Sequence, residues 1–444
     1  MTPHLYTPQR YLLANFIKYV RAKYFYPTMT QILIVGGGII GLSSAYHLRS
    51  AGYDVKVLDQ GDFQDNCSYG NAGYICPSHI VPLASPGKVR QGIKWMFNAQ
   101  SPFYVKPALN RDLLEWGWTF MRSATKDHVA RSAVPLRDIA LLSQHEYQQW
   151  SQQPEFDFAL EHKGLLEIFR TETGEQHAHE ATRKSREVGL DVDLLNRDEL
   201  LQLEPGISIN ASGAIHYKCD AHVFPNRVMH SLQKVLTAQG VQLLPHQKVL
   251  RLEHSGKQIQ HVVTDKSTFD ADYVVLAAGS WSKQLADSVE VSFPLMPGRG
   301  YSMTLSNGVF QLRHPALLLE RSVALTPLDG NTMRFGGTME VVPIGTPPRY
   351  RRVQGIVNAV NEYFPEAHLN VPPTEDIWFG YRPCSADGLP YIGHTQKYNN
   401  LLIATGHSML GMSLGAGTGK LIAELVMEKT PSINMAPFRV ERFG

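Results

Sequence analysis

Cysteine is scarce in this chain: Cys67, Cys76, Cys219 and Cys384 are all there are in 444 residues, with no C-x-x-C pair and no zinc-type spacing. That argues against a disulfide scaffold and fits a reduced, cytoplasmic setting with no metal centre. Net charge is scarce too. The 42 Lys+Arg and 40 Asp+Glu leave +2, so no global field draws the chain to nucleic acid. Long apolar runs are missing; none approaches the roughly 20 residues that cross a bilayer. There is no internal repeat and no low-complexity segment. Acidic residues are absent from the first 28 positions, which carry Arg10, Lys18, Arg21 and Lys23. Leu12, Leu13, Phe16, Ile17, Val20 and Tyr24 fall there at helical spacing. This is the pattern of a basic amphipathic helix on the cytoplasmic face of an anionic (inner) membrane. Two other readings stand beside it: an extension ahead of a natural start at Met29, just before the first strand, or a targeting segment.

What is present is an ordinary globular composition, 43% hydrophobic and 18% charged, in a chain long enough for more than one domain. Residues 31–35 spell a short buried strand, a glycine cluster follows, a helix runs from Leu42 to Ala51 and stops at Gly52, and a second strand at 54–58 closes on Asp59. Further strands are predicted at 164–169, 241–252, 259–264, 272–277, 300–305, 332–338 and 401–405, and helices at 139–150, 226–240 and about 411–428. The nucleotide-type pieces are scattered over 31–60, 241–282 and 400–428, so another domain is inserted between them. The expected class is α/β. A discontinuous Rossmann-like dinucleotide domain (30–108, 206–290 and 370–444) follows an extension at 1–29, and an inserted substrate domain of antiparallel sheet plus helices takes 109–205 and 291–369.

Gly36, Gly38 and Gly41 form G-x-G-x-x-G directly between a strand and a helix. Gly36 permits the tight turn, Gly38 lets a pyrophosphate approach the backbone, and Gly41 lets helix and strand pack closely. The helix N-terminus offers N–H groups and a positive dipole end to phosphate. Asp59, 18 residues past Gly41, is placed to accept hydrogen bonds from ribose hydroxyls and disfavours a 2′-phosphate. Three more small-residue segments promise close backbone approaches: Ser68 to Gly73, including Asn71; Ala277-Ala278-Gly279; and Gly406-His407 through Leu410, Gly411 and Met412. Together they suit an extended ligand with a large tricyclic ring, FAD, better than NAD, which would need fewer.

With these segments stand Gly298-Arg299-Gly300-Tyr301-Ser302, Tyr381-Arg382-Pro383, Asp387-Gly388-Leu389-Pro390 and Gly393. In this order they resemble the D-amino acid oxidase superfamily of flavoproteins, from about residue 30 to 430, and most of all its bacterial dehydrogenase branch. Gly92-Ile93-Lys94-Trp95-Met96-Phe97 is similar to that branch as well. The resemblance implies non-covalent FAD, with Val249 joining the cofactor-binding residues above. Cys384 does not match the cysteine through which some relatives attach their flavin. Arg382 is implied as the residue that binds the substrate carboxylate, and Tyr301 as a tyrosine on the substrate side.

An arginine there has a physical rationale. Its planar fork grips a carboxylate with two parallel bonds, so it fixes an angle as well as an anchor. Pro383 and the Asp387-Gly388 turn read as a shaped loop around it. Tyr301 is expected to hydrogen-bond the same carboxylate or cap the pocket, His407 to position the flavin, and His79 to line the pocket. The helix starting near Gly411 is expected to aim its dipole at the flavin N1–O2 edge. The expected reaction is hydride transfer from a small D-amino acid to flavin N5, with electrons passed on to a quinone or other carrier. Dehydrogenation of a cyclic or N-methyl amino acid (hydroxyproline, proline, sarcosine) or glycine remains open, as does a flavin subunit with no substrate site of its own.

Overall fold

A computed structural model describes residues 29–86, 103–106, 110–306 and 310–443. The basic segment at 1–28 and the Gly92-to-Phe97 stretch lie outside the described residues. The elements that build the site are, in chain order, β1 (Gln31–Val35), α1 (Ile39–Ser50), β2 (Asp54–Leu58), α2 (Arg111–Ser123), α3 (Lys126–Ser151), β3 (Tyr273–Leu276), β4 (Leu295–Ser306), β5 (Thr332–Val341), β6 (Ile377–Ser385), β7 (Leu401–Thr405) and α4 (Gly411–Val426).

The α/β reading holds. β1, β2, β3 and β7 form a six-stranded sheet with Gln242–Leu244 and Tyr391–His394, in the order 242–244, β2, β1, β3, β7, 391–394. Its pairs are parallel except the last. β1 and β7 are short apolar strands buried almost throughout, as a sheet covered on both faces requires. Helices α1 and α4 pack against it, and α3 packs on α4. A Cβ on Gly417 would stand 2.9 Å from the Ser143 N, and one on Gly419 2.4 Å from the Ser43 carbonyl carbon. Glycine in α4 is therefore what permits three helix axes to come this close.

The second sheet is mostly antiparallel and runs β6, β4, β5, 323–328, 316–318, 165–169, 213–217, 192–196, with Phe103–Val105 parallel to β5. Its strands come partly from all three segments expected for the dinucleotide domain: Phe103–Val105, Gly213–Tyr217 and β6. The two sheets thus do not divide at the boundaries read from sequence, because strand pairing joins residues far apart in the chain.

Two local outcomes differ from the sequence reading for physical reasons. Arg382 sits inside edge strand β6, not in a loop. Pro383 faces Pro297 of β4 across the pair. Their carbonyls accept from the Ser408 and Val342 N–H groups on the outer sides, so both proline nitrogens stand where the β4–β6 pair asks for no donor. Helix α3 begins at Lys126, not at 139, and runs through Pro135. A proline in a helix costs about 3 kcal/mol. Burial of Leu136, Ile139, Tyr147 and Trp150 on the same helix contributes about 1.5–3 kcal/mol for each large apolar side chain, and Thr125 caps the first turn by accepting from His128 N–H. Packing wins over the proline. Among the described residues, no helix is long and apolar enough to cross a membrane.

Candidate active site

One cavity of about 1520 Å³ runs from the end of β1 to the wall formed by β4, β5 and β6. It is larger than the roughly 300–1,000 Å³ of an ordinary small-ligand pocket, so a dinucleotide and a small second molecule fit together. Its floor at one end is the β1–α1 turn. Gly36 has φ +114°, and a Cβ there would stand 2.4 Å from the Ala277 O. A Cβ on Gly41 would stand 1.8 Å from the Gly36 O; Gly41 lies behind the cavity wall, where α1 rests on β1. Gly38 is the N-cap of α1 and has no side chain to close it, and the first turn carries no acidic residue. That end of α1 is a cradle for an anion.

Asp59, at the end of β2, also lines the cavity. Its carboxylate accepts from Gly37 N–H (2.6 Å) and Gly61 N–H (2.7 Å), one on each oxygen. Each oxygen keeps a lone pair for a hydroxyl donor. Ser68 Oγ accepts from Ile39 N–H at 3.0 Å, tying the 66–73 loop to the helix N-terminus. Asn71 lines the cavity while its side chain accepts from Gly73 N–H. Gly73, with φ +82°, stands off the cavity, turned against Val223 O. Val249 and Gly279 lie in the wall.

At the C-terminal side, Gly406 is a turn glycine (φ +82°) packed on Tyr391 and outside the wall. His407, Leu410, Gly411 and Met412 are in it. The His407 ring is buried, with Nε2 2.9 Å from Thr418 Oγ1 and Nδ1 without a partner among the described residues. Burial pushes its pKa down to about 3, so the ring is neutral. Leu410 caps α4 without a side-chain bond and the first turn has no acid, so the positive end of that helix dipole opens on the cavity. These features fit a dinucleotide flavin: an anion cradle, a ribose-facing carboxylate, glycine-lined walls and a second helix N-terminus.

Arg382 occupies the far wall. Its Nη1 donates to Thr338 O at 2.6 Å. The guanidinium lies over the Gly300 backbone; a Cβ there would stand 2.1 Å from its Cζ. No carboxylate forms an ion pair with it among the described residues. Burial holds its pKa below the ordinary guanidinium value. The nearby thiols give no countercharge, because burial pushes Cys67 up to about 11 and Cys384 up to about 12. By contrast, the buried Arg299 and Arg352 both pair with Glu340. Arg382 is thus a cation in a cavity wall with no carboxylate partner among the described residues, and such a group needs an anion.

Tyr301 is placed differently from expectation. Its ring reaches the cavity, but its hydroxyl donates to Glu340 Oε2 (2.8 Å) and accepts from Arg349 N–H (2.7 Å). A phenol has one proton, and here Glu340 holds it, so Tyr301 has none to give a substrate carboxylate. His79 does line the cavity, close to Cys76 and Asp220. The Asp220 carboxylate accepts from the N–H and hydroxyl of Ser78 and so fixes this turn of the wall. Cys384 is fully buried against Met339 and outside the wall.

Three contributors escaped the sequence reading. Thr338, which holds Arg382, sits at φ +64° in a β-bulge: Thr338 and Met339 together oppose Gly300 alone. Left-handed geometry in a β-branched residue costs about 1–3 kcal/mol, and it turns the carbonyl onto the guanidinium. Arg334 donates to the carbonyls of Tyr69 and Asn71 and so holds the cavity loop. Trp378 rests on Gly70 and Gly380, where Cβ atoms would stand 2.1–2.2 Å from its ring. The paired glycines were the available signal for Trp378; the bulge left none.

The profile of the DAO family, described as FAD dependent oxidoreductase, matches residues 31–425. A D-amino acid dehydrogenase of Neisseria meningitidis serogroup C is 29% identical over 421 residues, covering 93% of this chain and 99% of its own. One from Granulibacter bethesdensis is 28% identical over 426 residues, covering 93% of this chain and 100% of its own. Among solved structures, glycine oxidase from Geobacillus kaustophilus shares the fold with a TM-score of 0.75 at 22% identity, over 94% of this chain and 100% of that one.

Proposed function

Because the chain belongs to the DAO family of FAD-dependent oxidoreductases, we propose that it oxidises a small D-amino acid at its α-carbon. The product is an imino acid, which water converts to a 2-oxo acid and ammonia. The observation that carries this reading is Arg382, a cavity-facing cation without a carboxylate partner among the described residues. The names of the relatives, D-amino acid dehydrogenase over nearly the full length of both chains, support the choice of substrate.

Thr338 O takes one N–H of the guanidinium, which leaves donors of the fork for the substrate carboxylate. Two parallel bonds fix that carboxylate in angle, so only one face of the α-carbon can turn toward the flavin. Gly300 beneath and the carbonyl beside keep the fork from swinging. FAD, when bound, supplies the acceptor for the two electrons that leave the α-carbon. The α4 N-terminus favours negative charge on its side of the cavity. A flavin subunit without its own substrate would have no use for an unpaired cation in this wall.

The electrons pass on to a quinone or protein carrier at a membrane surface. The outer face of α2 supports this: Leu114 and Trp118 are 61% and 68% exposed, and Arg111 and Arg122 share that face with Glu115. A helix with that pattern lies well at an anionic interface.

The test is anaerobic. The flavin-loaded enzyme is mixed with D- and L-amino acids, glycine, sarcosine, proline and hydroxyproline isomers, and the visible absorption of the flavin is followed. A D-amino acid should bleach it fast and its L-enantiomer hardly at all. Equal bleaching by both enantiomers would remove the stereochemical argument, and bleaching by sarcosine or proline alone would move the substrate to secondary amines.

A further inference from the structure

Helix α2 is the part of the cavity wall that the catalytic reading leaves without a purpose. Its inner face presents Leu113, Trp116, Gly117, Phe120 and Met121 to the cavity. Trp116 is tied to the substrate end: its Nε1 donates to Cys384 O at 2.9 Å, two residues along β6 from Arg382. That bond uses the only polar atom of the indole, so the ring offers nothing but apolar surface. Phe120 stacks on it with centroids 4.9 Å apart. Leu83, Phe103, Val105 and Met339 join the pair in one apolar cluster.

In the middle of this helix stands a glycine. Gly117 is the seventh of thirteen residues, where glycine is, after proline, the poorest helix former. Such a glycine is commonly explained by another backbone packed against it. Among the described residues that explanation fails: a Cβ built on Gly117 would meet nothing within 4 Å, as at the turn glycine Gly279 and at Gly411 where α4 opens, whereas Gly70, Gly300 and Gly380 in the same wall are each crowded by a side chain. What the missing side chain leaves is cavity. Leu113, one turn before, and Phe120 and Met121, one turn after, flank the gap on the same face.

From this we infer that Gly117 is a specificity-determining residue. It is the base of an apolar notch that receives the side chain of a substrate whose carboxylate Arg382 holds, and the substrate therefore bears an apolar side chain larger than a methyl group. The inference rests on the amino-acid reading of the site. A charged side chain would be stripped of water against Trp116, Phe120 and Met339, whose surfaces offer it no counterion, and a hydrogen or methyl would leave the notch unfilled.

Gly117→Leu tests this cleanly, because no described residue stands within 4 Å of the new Cβ. The variant should fold and melt at or above the wild-type temperature, since leucine is a far better helix former than glycine. The holoenzyme is first titrated with two simple carboxylates, benzoate and acetate, following the perturbation of flavin absorbance. Benzoate should bind at least about tenfold more weakly to the variant while acetate changes by less than about threefold, the scale on which pocket volume discriminates. Turnover should split in the same way: kcat/KM falls at least about tenfold for D-leucine and D-phenylalanine, through KM, and little for D-alanine. Unchanged benzoate affinity and unchanged turnover of the bulky substrates would overturn the notch, and so would an equal loss for large and small ligands. If no D-amino acid bleaches the wild-type flavin, the substrate reading fails by itself, and the benzoate–acetate comparison still decides whether Gly117 is the notch. Gly117→Ala, a smaller filling, should give the same ordering with smaller changes.

Discussion

Replacing Arg382 offers the strongest internal check, because structure predicts opposite consequences for activity and for stability. In Arg382→Leu the carboxylate clamp is gone. Hydrogen bonds to charged groups are worth about 1.5–3 kcal/mol each, so a two-bond clamp supplies about 3–6 kcal/mol, or a loss of about 10²–10⁴ in kcat/KM. Arg382→Lys keeps the charge but not the fork, and should retain about half of that energy, losing about 10–10². Folding should be spared. Among the described residues the wild-type guanidinium has one hydrogen bond, to Thr338 O, and no carboxylate partner, so leucine trades one bond for relief from a cation held out of water. Steady-state kinetics and melting temperature on flavin-loaded protein are both needed. A large kinetic loss with a melting temperature near wild type fits the clamp. Near-normal kinetics would mean that another cation holds the substrate. A collapse of stability would mean that Arg382 belongs to the scaffold.

Gly300→Ala should act through Arg382: the new methyl would stand 2.1 Å from Cζ, so the fork must shift. KM for the amino acid should rise by about tenfold or more, with FAD content unchanged; unaltered KM would show that the guanidinium has slack. Asp59→Ala removes the acceptor of the Gly37 and Gly61 N–H bonds and the carboxylate facing the ribose end. The variant should lose FAD on gel filtration where wild type keeps it, and full retention would place the ribose elsewhere. Stability should fall as pH drops below about 6.5. His407 and His47 are both held near 3 by burial, so the unfolded chain takes up protons that the fold refuses, at up to about 1.4 kcal/mol per pH unit for each histidine. Asp220, raised to about 6 by burial, works the other way between about 6 and 4 and offsets part of the slope. Urea midpoints across this range check the sign, and a His407→Gln variant should show a shallower acid limb.

The nucleotide end was legible because its information is local. The strand, glycine turn, helix, strand and Asp59 all fall within residues 31–59, and each piece has a composition that only one geometry uses well. Arg382 was legible through the motif around it. Its seat in a strand was not, since Pro383 reads as a loop residue until Pro297, 86 positions earlier, faces it across the pair. The partner of the Tyr301 hydroxyl was hidden for a similar reason: Glu340, which takes its proton, is brought in by β5. Thr338 owes its role to a bulge, a register irregularity between two strands that no single-strand pattern announces. Gly117 shows the reverse case. A glycine inside a helix with tryptophans on both sides is a visible anomaly in the sequence, but its meaning depends on knowing that no described residue fills the space beside it.

The claim on which the mechanism rests is that one arginine reads the acid group of the substrate. Comparing a D-amino acid with its amide, which keeps the amine, the α-hydrogen and the side chain but loses the negative charge, tests that claim directly. Wild-type enzyme should prefer the acid by about 10² or more in kcat/KM, and Arg382→Leu should treat acid and amide nearly alike. An undiminished preference for the acid in the variant would contradict the account.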